Sequence, residues 1–294
     1  MRHRMALWLA LRRALLLAPA LLLAGAARGQ DEVPFITTPD RVTLAMLALA
    51  GVGPADHLID LGSGDGRIVI TAARRFGASG LGVEIVPDLV QRSRASAQVA
   101  GVAARAEFRE QDLFQTDLSA ATVVTMYLLP EVNLQLRPRL LALRPGTRLV
   151  SHDWDMGDWA PDQSLTLDVP EKAIGREKRS RVHLWLVPAR VQGLWCGADG
   201  SRLQISQRFQ AFSAVLSAGA LAGSAVAPAP LKVFDGRIAG TRLLSPGPGA
   251  TDGAATSAAV ELEAMPDSLD WRVGLPPGSA ARRFSAATAG ACQR

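Results

Sequence analysis

The stretch Asp60-Leu61-Gly62-Ser63-Gly64-Asp65-Gly66 decides the fold of this chain. An apolar run, Leu58-Ile59, leads into it, and a helix-like run over residues 67–76 follows it. This order predicts a strand, a glycine turn and a helix start. Alternate glycines allow positive φ and let a ligand approach where a Cβ would collide, and the free amides of the next helix can donate to that ligand. The stretch therefore predicts a turn that binds a phosphate or a nucleoside.

Three acids narrow this prediction. The turn is not the dinucleotide-binding fingerprint, because Arg67 stands where the third glycine is needed and Asp60 lies two residues before the first one. Glu84 ends the next predicted strand, where a carboxylate can accept both ribose hydroxyls; the alternative is a solvated acid at a strand end. Asp112 closes a third strand, where it can bond an adenine amino group beside an apolar Leu113, or simply cap the next turn.

Short apolar runs alternate with longer helix-like stretches between residues 39 and 187, which is typical of a parallel sheet with helices on both faces. Thr38-Pro39 marks a first helix start. The predicted strands are 57–61, 80–84, 106–109, 122–128 and 148–152. The predicted helices are 67–76, 87–100 and 130–143, and Pro138 should kink or break the last one. A strand pair, 165–169 and 181–187, flanks a charged loop at 171–179.

The composition changes after Pro188. Alternating apolar and polar residues separated by glycine turns indicate antiparallel strands. We therefore expect a second, small antiparallel β domain over 191–294, with an insert rich in Gly, Pro, Ala and Ser near 245–258, after a first domain over 31–188.

The first 29 residues have the composition of a targeting segment. Their charged residues are all arginines, and the apolar run at 14–26 is followed by small residues. This run is too short for a comfortable membrane span, so we expect an export signal; an uncleaved membrane anchor and a mitochondrial presequence are the alternatives. Removing these arginines reduces the formal net charge from +5 to 0. Charge therefore gives no argument for a nucleic-acid partner.

Cys196 and Cys292 are the two cysteines of the chain. In an exported protein the expected state is a disulfide, which would tie the C-terminus to the start of the β domain. The alternative is two unrelated thiols. No metal site is expected, because His57, His152 and His183 lack ligand spacing.

Residues 31–160 resemble a bacterial branch of the class I S-adenosylmethionine (SAM)-dependent methyltransferases, similar to the enzymes that methylate lysine in the ATP synthase c-subunit and in the adenine nucleotide translocase. The resemblance lies in residues 33–39, 60–70, 82–84, 112–114, 127–130 and 151–155. It implies a Rossmann-like sheet with flanking helices and SAM as the cofactor. The residues that it implies for SAM binding are Asp60, Gly62, Ser63, Gly64, Gly66, Glu84, Asp112 and Leu113. The chain departs from the family at 35–37, where Phe-Ile-Thr replaces the usual Tyr-Val-Pro, and in its β domain, which the mitochondrial members lack.

The ends of the fourth and fifth strands should face the transferred methyl group, because ligands of this fold lie beyond the carboxyl ends of the strands. Tyr127 ends the fourth strand, and Asp153 and Asp155 follow the fifth. We predict that they orient the acceptor or take its proton. The alternatives are an amphipathic core position for Tyr127 and a polar loop packed by Trp154 and Trp159 for the two acids.

The resemblance implies transfer of a methyl group to a nucleophile, and the first hypothesis for the acceptor is a protein lysine. A lysine ammonium must lose its proton before transfer, which an apolar channel and a nearby acceptor favour. A small-molecule O- or N-methyltransferase is the second hypothesis, and an exported protein that binds a nucleoside without turnover is the third. The expected partner is a protein or small-molecule methyl acceptor, and the membrane is a further partner if the N-terminal segment stays attached.

Overall fold

The computed structural model describes residues 35–173, 176–218, 230–246, 260–274, 282–288 and residue 292. The predictions for the targeting segment, for residues 33–34 and for most of the insert at 245–258 lie outside these ranges. Residues 37–294 group into one compact unit. Within the described ranges, this unit contains two separate sheets.

The first sheet has the strand order β3-β2-β1-β4-β5-β7-β6. Its strands are β1 (His57–Leu61), β2 (Ser79–Glu84), β3 (Ala106–Glu110), β4 (Val123–Met126), β5 (Arg148–His152), β6 (Gln163–Asp168) and β7 (Arg179–Leu186). Strands β1 to β5 pair in parallel, and β7 runs antiparallel between β5 and β6. This confirms the predicted Rossmann-like sheet and brings the carboxyl ends of five strands to one edge.

Four helices accompany this sheet: α1 (Asp40–Leu49), α2 (Arg67–Phe76), α3 (Pro87–Val99) and α4 (Pro130–Leu140). Helix α4 runs through Pro138 but ends three residues before the predicted end. Residues 142 and 143 leave the helix through tighter i to i−3 bonds, such as that from the Leu143 amide to the Leu140 carbonyl at 3.2 Å. Pro138 therefore shortens the helix without breaking it at its own position.

Alternating side chains place a hydrophobic core on each face of the sheet. Leu58 and Val123 pack on the face covered by α1, α2 and α3, whereas their neighbours Ile59 and Val124 pack on the opposite face with Leu136 of α4. This period of two is what a strand buried on both sides requires.

The second sheet closes into an eight-stranded antiparallel barrel. Its strands are β8 (Gly193–Gly197), β9 (Arg202–Arg208), β10 (Ala211–Ser217), β11 (Pro230–Ala239), β12 (Arg242–Ser245), β13 (Val260–Ala264), β14 (Ser268–Val273) and β15 (Arg283–Ala286). Each strand pairs with the next along the chain, and β15 closes on β8. The barrel core contains Phe212, Phe234, Trp271 and Phe284, whose neighbouring rings lie 5.4 to 6.1 Å apart. The predicted β domain is thus a barrel filled by its own side chains.

A disulfide joins Cys196 of β8 to Cys292, with an S–S distance of 2.00 Å and a Cα–Cα distance of 5.4 Å. The predicted pairing is confirmed. It ties the end of the chain to the first strand of the barrel.

The barrel contacts the segment that leads from β5 to β6. The rings of Trp159 and Phe209 stack with centroids 5.9 Å apart, and Arg237 of β11 forms an ion pair with Asp162 at 2.6 Å. Phe209 precedes β10, so these contacts hold the barrel against the edge strands of the first sheet. None of the helices in the described ranges combines the length and the apolar content that a membrane span requires.

Candidate methyltransferase site

The turn between β1 and α2 is tied to the neighbouring strand β2. The Gly62 and Ser63 amides both donate to the Val83 carbonyl, at 3.0 and 2.9 Å. Gly62 has φ +72° and Gly66 has φ +79°. A Cβ on Gly66 would lie 2.7 Å from the Phe108 ring, and one on Gly62 would lie 2.9 Å from Leu128. Both positions therefore favour glycine for conformation, and Gly66 also requires it for space, because the Phe108 ring cannot yield as easily as the end of the Leu128 side chain.

Glu84 is held at the end of β2 by backbone amides. One carboxylate oxygen accepts the Gly64 amide at 3.0 Å, and the other accepts the amides of Ile85 at 2.8 Å and Val86 at 3.1 Å. A carboxylate has about four lone-pair sites and three of them accept these amides, so Glu84 can still accept a hydroxyl donor from a ligand. Its orientation is set before any ligand arrives.

Asp60 is fully buried behind the turn and accepts the Thr125 hydroxyl at 2.7 Å. Burial raises the pKa of Asp60 to about 7, the Thr125 hydroxyl bond opposes this, and the nearby charges of Glu84 and Asp65 add to it. Asp60 is therefore an acid that can change its protonation state near neutral pH.

Asp112 caps the short 3-10 helix Leu113–Gln115. Its carboxylate accepts the Phe114 amide at 2.8 Å and the Gln115 side-chain amide at 3.0 Å. The structure thus forms the capping interaction that was the alternative for this residue. The contact of Asp112 and Leu113 with an adenine stays a prediction.

The residues around the turn fit an adenosine cofactor. The Gly62 and Ser63 amides fix the turn on β2, Glu84 is fixed at the strand end where ribose hydroxyls are recognised, and Ile85 exposes 69% of its surface beside Glu84. An exposed isoleucine at a binding edge supplies an apolar surface for a flat ring.

A second group of side chains lies at the ends of β4 and β5. The rings of Tyr127 and His152 have centroids 3.9 Å apart. The ring nitrogens of His152 lie 3.3 Å from the Thr38 hydroxyl and 3.0 Å from the Ser180 hydroxyl. Burial lowers the pKa of His152 to about 4. The charge of Asp153 opposes this shift, and the charge of Lys172 adds to it. The ring is therefore neutral at physiological pH and is held on both sides.

Asp153 follows β5 in an unusual backbone conformation, with φ +63°. Its amide donates to the Arg181 carbonyl at 2.7 Å, and its carboxylate accepts the Arg181 amide at 2.9 Å. The other carboxylate oxygen lies 3.5 Å from Nε2 of His152 and 2.7 Å from Nζ of Lys172. Such a backbone conformation persists only where surrounding contacts hold it, and these bonds provide that support.

Tyr127 and Asp153 interact, whereas Asp155 belongs to a turn. Burial, and then the charge of Asp153, raise the pKa of Tyr127, so its hydroxyl keeps its proton. Asp155 is exposed and accepts the Gly157 amide at 3.0 Å. That is the polar-loop alternative, so Asp155 has a structural contact of its own, and its catalytic role stays a prediction without support from geometry.

Two contributors to this group were not predicted. The sequence predicts Thr38 as a helix start and as part of the matching stretch 33–39 but gives it no role in the site, yet its hydroxyl contacts His152 and its carbonyl accepts Nη1 of Arg67 at 2.9 Å. Lys172 was part of a charged loop, although it is one of only three lysines in the chain. The scarcity of lysine is the feature of the sequence that could have identified Lys172 as a candidate site residue.

The strand order and the site together define a class I SAM-dependent methyltransferase. Residues 60–163 match the family model described as the ANTKMT methyltransferase domain. A protein-lysine N-methyltransferase of Saccharolobus islandicus is 42% identical over 139 residues, covering 47% of this chain and 86% of the relative. The mouse lysine N-methyltransferase of the ATP synthase c-subunit is 38% identical over 36% of this chain, and the mouse adenine nucleotide translocase lysine N-methyltransferase is 34% identical over 44%.

A solved structure described as an RNA methyltransferase from Salinibacter ruber in complex with S-adenosyl-L-homocysteine is 52% identical, covers 53% of this chain and 96% of its own, and has a TM-score of 0.49. This chain belongs to the protein-lysine N-methyltransferase family that includes the Saccharolobus protein, and its cofactor is SAM. The chain spans 43% and 57% of the length of the two mouse relatives.

Proposed function

We propose that the acceptor of this methyltransferase is the side-chain amine of a lysine in another protein. The observation that carries the proposal is the 2.7 Å ion pair between Asp153 and the ammonium of Lys172 at the carboxyl edge of the sheet. The site already binds a primary alkyl ammonium. The names of the curated relatives, all lysine methyltransferases, support the same acceptor.

The cofactor supplies a methyl group on a sulfonium, which is already activated toward a nucleophile. The remaining tasks belong to the protein: it must align the amine, exclude water and take the proton of the ammonium. Asp153 is the carboxylate that can attract the ammonium, and Tyr127 keeps its proton and can donate to a neighbouring acceptor. His152 is neutral, so it adds no positive charge that would repel the substrate.

We also propose that the protein is exported or held at a membrane by its N-terminal segment. The arginine-bearing start and the apolar run support export. The Cys196–Cys292 disulfide supports it independently, because disulfides persist mainly in oxidising compartments. Signal cleavage is tested by sequencing the N-terminus of the protein from a cell-envelope fraction; full-length protein in the cytosolic fraction alone would contradict export.

The acceptor is tested with purified full-length protein and methyl-labelled SAM. Lysine-containing envelope proteins are compared with the same proteins after their amines have been acetylated, and with single-stranded RNA. We expect label in the unmodified proteins, located on lysine by peptide mapping. Equal label after acetylation, or label in RNA only, would overturn the proposal. Label only in small molecules from a cell extract would favour the small-molecule methyltransferase instead.

A further inference from the structure

Lysine is scarce in this chain, and two of its three lysines lie in one segment at the active edge. The sequence has 32 lysines and arginines, of which only Lys172, Lys178 and Lys232 are lysines. Lys172 and Lys178 lie between β6 and β7. We propose that Lys172 is a methyl acceptor within the enzyme itself. This inference rests on the proposed lysine specificity and goes beyond it by naming a modification site.

The topology brings Lys172 to the correct edge of the sheet. Strand β7 is antiparallel to both β5 and β6, so β6 runs parallel to β5. The segment that follows Asp168 at the end of β6 therefore lies at the same edge as His152 at the end of β5 and Glu84 at the end of β2. This is the edge where the cofactor site lies.

The side chain of Lys172 is held by specific contacts. Its Nζ lies 2.7 Å from Asp153 and donates to the Arg179 carbonyl at 2.6 Å. Its own amide donates to the Val169 carbonyl at 3.0 Å, and its carbonyl accepts Nζ of Lys178 at 2.6 Å. Only 16% of the Lys172 side chain is exposed. The amine of Lys172 is therefore held against Asp153, and the backbone of Lys172 is fixed by hydrogen bonds to Val169 and Lys178.

An ion pair alone does not explain why this residue is lysine. Among the ion pairs of the described residues, Lys172–Asp153 is the one formed by lysine, and the cations of the others are arginines, apart from the contact of the neutral His152 with Asp153. Arginine would satisfy a carboxylate and a carbonyl with more donors than lysine has. Unlike arginine, lysine becomes a neutral amine with a free lone pair when it loses a proton.

Methyl transfer to Lys172 is compatible with the two contacts that its amine already makes. The Lys172 ammonium has three N–H groups, and two are used by Asp153 and Arg179. Loss of the third proton to solvent exposes a lone pair. A C–N bond then forms to the methyl carbon as the C–S bond of the sulfonium breaks, and the sulfonium becomes a neutral thioether. The methylated, positively charged nitrogen can keep both of its existing contacts.

The test uses the full-length protein alone with methyl-labelled SAM, followed by digestion and mass spectrometry of all three lysines. We expect methylation of Lys172 and none of Lys178 or Lys232. The rate per chain should not change with protein concentration, because the acceptor is in the same molecule. Lys172→Arg should abolish self-labelling, whereas the matched variant Lys178→Arg should retain it.

A second measurement does not depend on turnover. Protein labelled with ¹³C at lysine Cε has three signals, which the two variants and a Lys232→Arg variant assign. Addition of S-adenosylhomocysteine, which has no methyl group to transfer, should shift the Lys172 signal and leave the Lys232 signal in place.

Unmodified Lys172, or an unmoved Lys172 signal with bound S-adenosylhomocysteine, overturns the inference. If lysines of other proteins are methylated at the same time, the proposed function stands and only self-methylation fails. If no lysine in any protein is methylated, the proposed function fails as well.

Discussion

The Glu84 carboxylate accepts the Gly64 amide at 3.0 Å, which joins the end of β2 to the glycine turn after β1. The same side chain fixes the glycine turn, and we expect it also to accept a ribose hydroxyl of the cofactor. Truncating Glu84 removes both, whereas an amide of the same shape removes the charge and retains one acceptor oxygen.

Replacing Glu84 tests the assigned cofactor position. We expect Glu84→Ala to weaken SAM binding by about 2 to 3 kcal/mol, because buried hydroxyls and the Gly64 amide lose a charged acceptor. Glu84→Gln should cost about half as much, since its carbonyl oxygen still accepts one amide. Isothermal titration measures both dissociation constants. An unchanged constant for Glu84→Ala would mean that the cofactor binds elsewhere.

A comparison of Gly66 with Gly101 distinguishes the two reasons why a position requires glycine, which are backbone conformation and lack of space for a Cβ. Both have positive φ, +79° and +70°, but a Cβ on Gly66 would lie 2.7 Å from Phe108, whereas nothing lies within 4 Å of one on Gly101. We expect Gly101→Ala to lower the free energy of unfolding by about 1 kcal/mol through backbone strain. Gly66→Ala adds the collision and should cost roughly 3 kcal/mol or more. Urea unfolding measures both, and equal losses would show that the space around Gly66 is irrelevant.

The first sheet could be predicted from the sequence because its signals are local. The bounds of β1, β5 and α2 agree with the predicted ones, since a strand buried on both faces and a helix that begins at a glycine turn each have a distinct pattern. The barrel could be predicted only as antiparallel strands. Its closure depends on β15 pairing with β8, which is a contact that no local pattern encodes.

The acceptor side of the site was less predictable for the same reason. Thr38 contacts His152 across 114 residues, and Lys172 reaches Asp153 only because β7 returns antiparallel beside β5. Asp153 and Asp155 look equivalent in sequence. The positive φ of Asp153 turns the chain, so that Asp153 meets Arg181 while Asp155 caps Gly157.

Tyr127 is the acceptor-side residue whose role is easiest to isolate. Its raised pKa keeps the hydroxyl protonated, so we expect it to orient neighbouring groups by hydrogen bonding. Tyr127→Phe should lower kcat about 10- to 100-fold, or about 1.4 to 2.7 kcal/mol, with the dissociation constant for SAM retained. Single-turnover methyl transfer and titration measure the two effects. Full activity in the variant would return Tyr127 to a packing role.

Asp60 and His152 should respond to pH in opposite directions. Burial raises the pKa of Asp60 from 3.8 to about 7, so its stabilising contribution is present below pH 3.8 and is lost as the pH rises through 7. Burial lowers the pKa of His152 from 6.5 to about 4, so its contribution is complete above pH 6.5 and is lost as the pH falls through 4. Between about pH 4 and 6.5, the Asp60 contribution makes the free energy of unfolding of the unmodified protein fall with pH, and the His152 contribution makes it rise.

Single variants should reveal the contribution of each group to the pH dependence of the free energy of unfolding. Relative to the unmodified protein, the free energy of unfolding of Asp60→Asn should rise more steeply with pH between about 4 and 6.5, because the opposing contribution of Asp60 is removed while that of His152 remains. With His152→Gln the slope over the same range should change in the opposite direction relative to the unmodified protein, because the Asp60 contribution then acts without that of His152. Each slope is at most about 1.4 kcal/mol per pH unit. Urea unfolding without cofactor at several pH values measures them, and parallel curves for the two variants would contradict the opposite pKa shifts.

The Cys196–Cys292 disulfide should stabilise the barrel without supporting the cofactor site. It closes a loop with a sequence separation of 96 residues, for which the chain-entropy relation gives an upper value of about 4 to 5 kcal/mol. We expect a variant with both cysteines changed to serine to unfold the barrel at a lower urea concentration, because β8 loses its link to the end of the chain, and to bind SAM with an unchanged dissociation constant. Unfolding of the barrel is followed by the fluorescence of Trp271 in the barrel core, in a protein whose other tryptophans are replaced by phenylalanine. Calorimetry measures the dissociation constant for SAM. Loss of SAM binding in the folded double variant would instead show that the barrel supports the methyltransferase site.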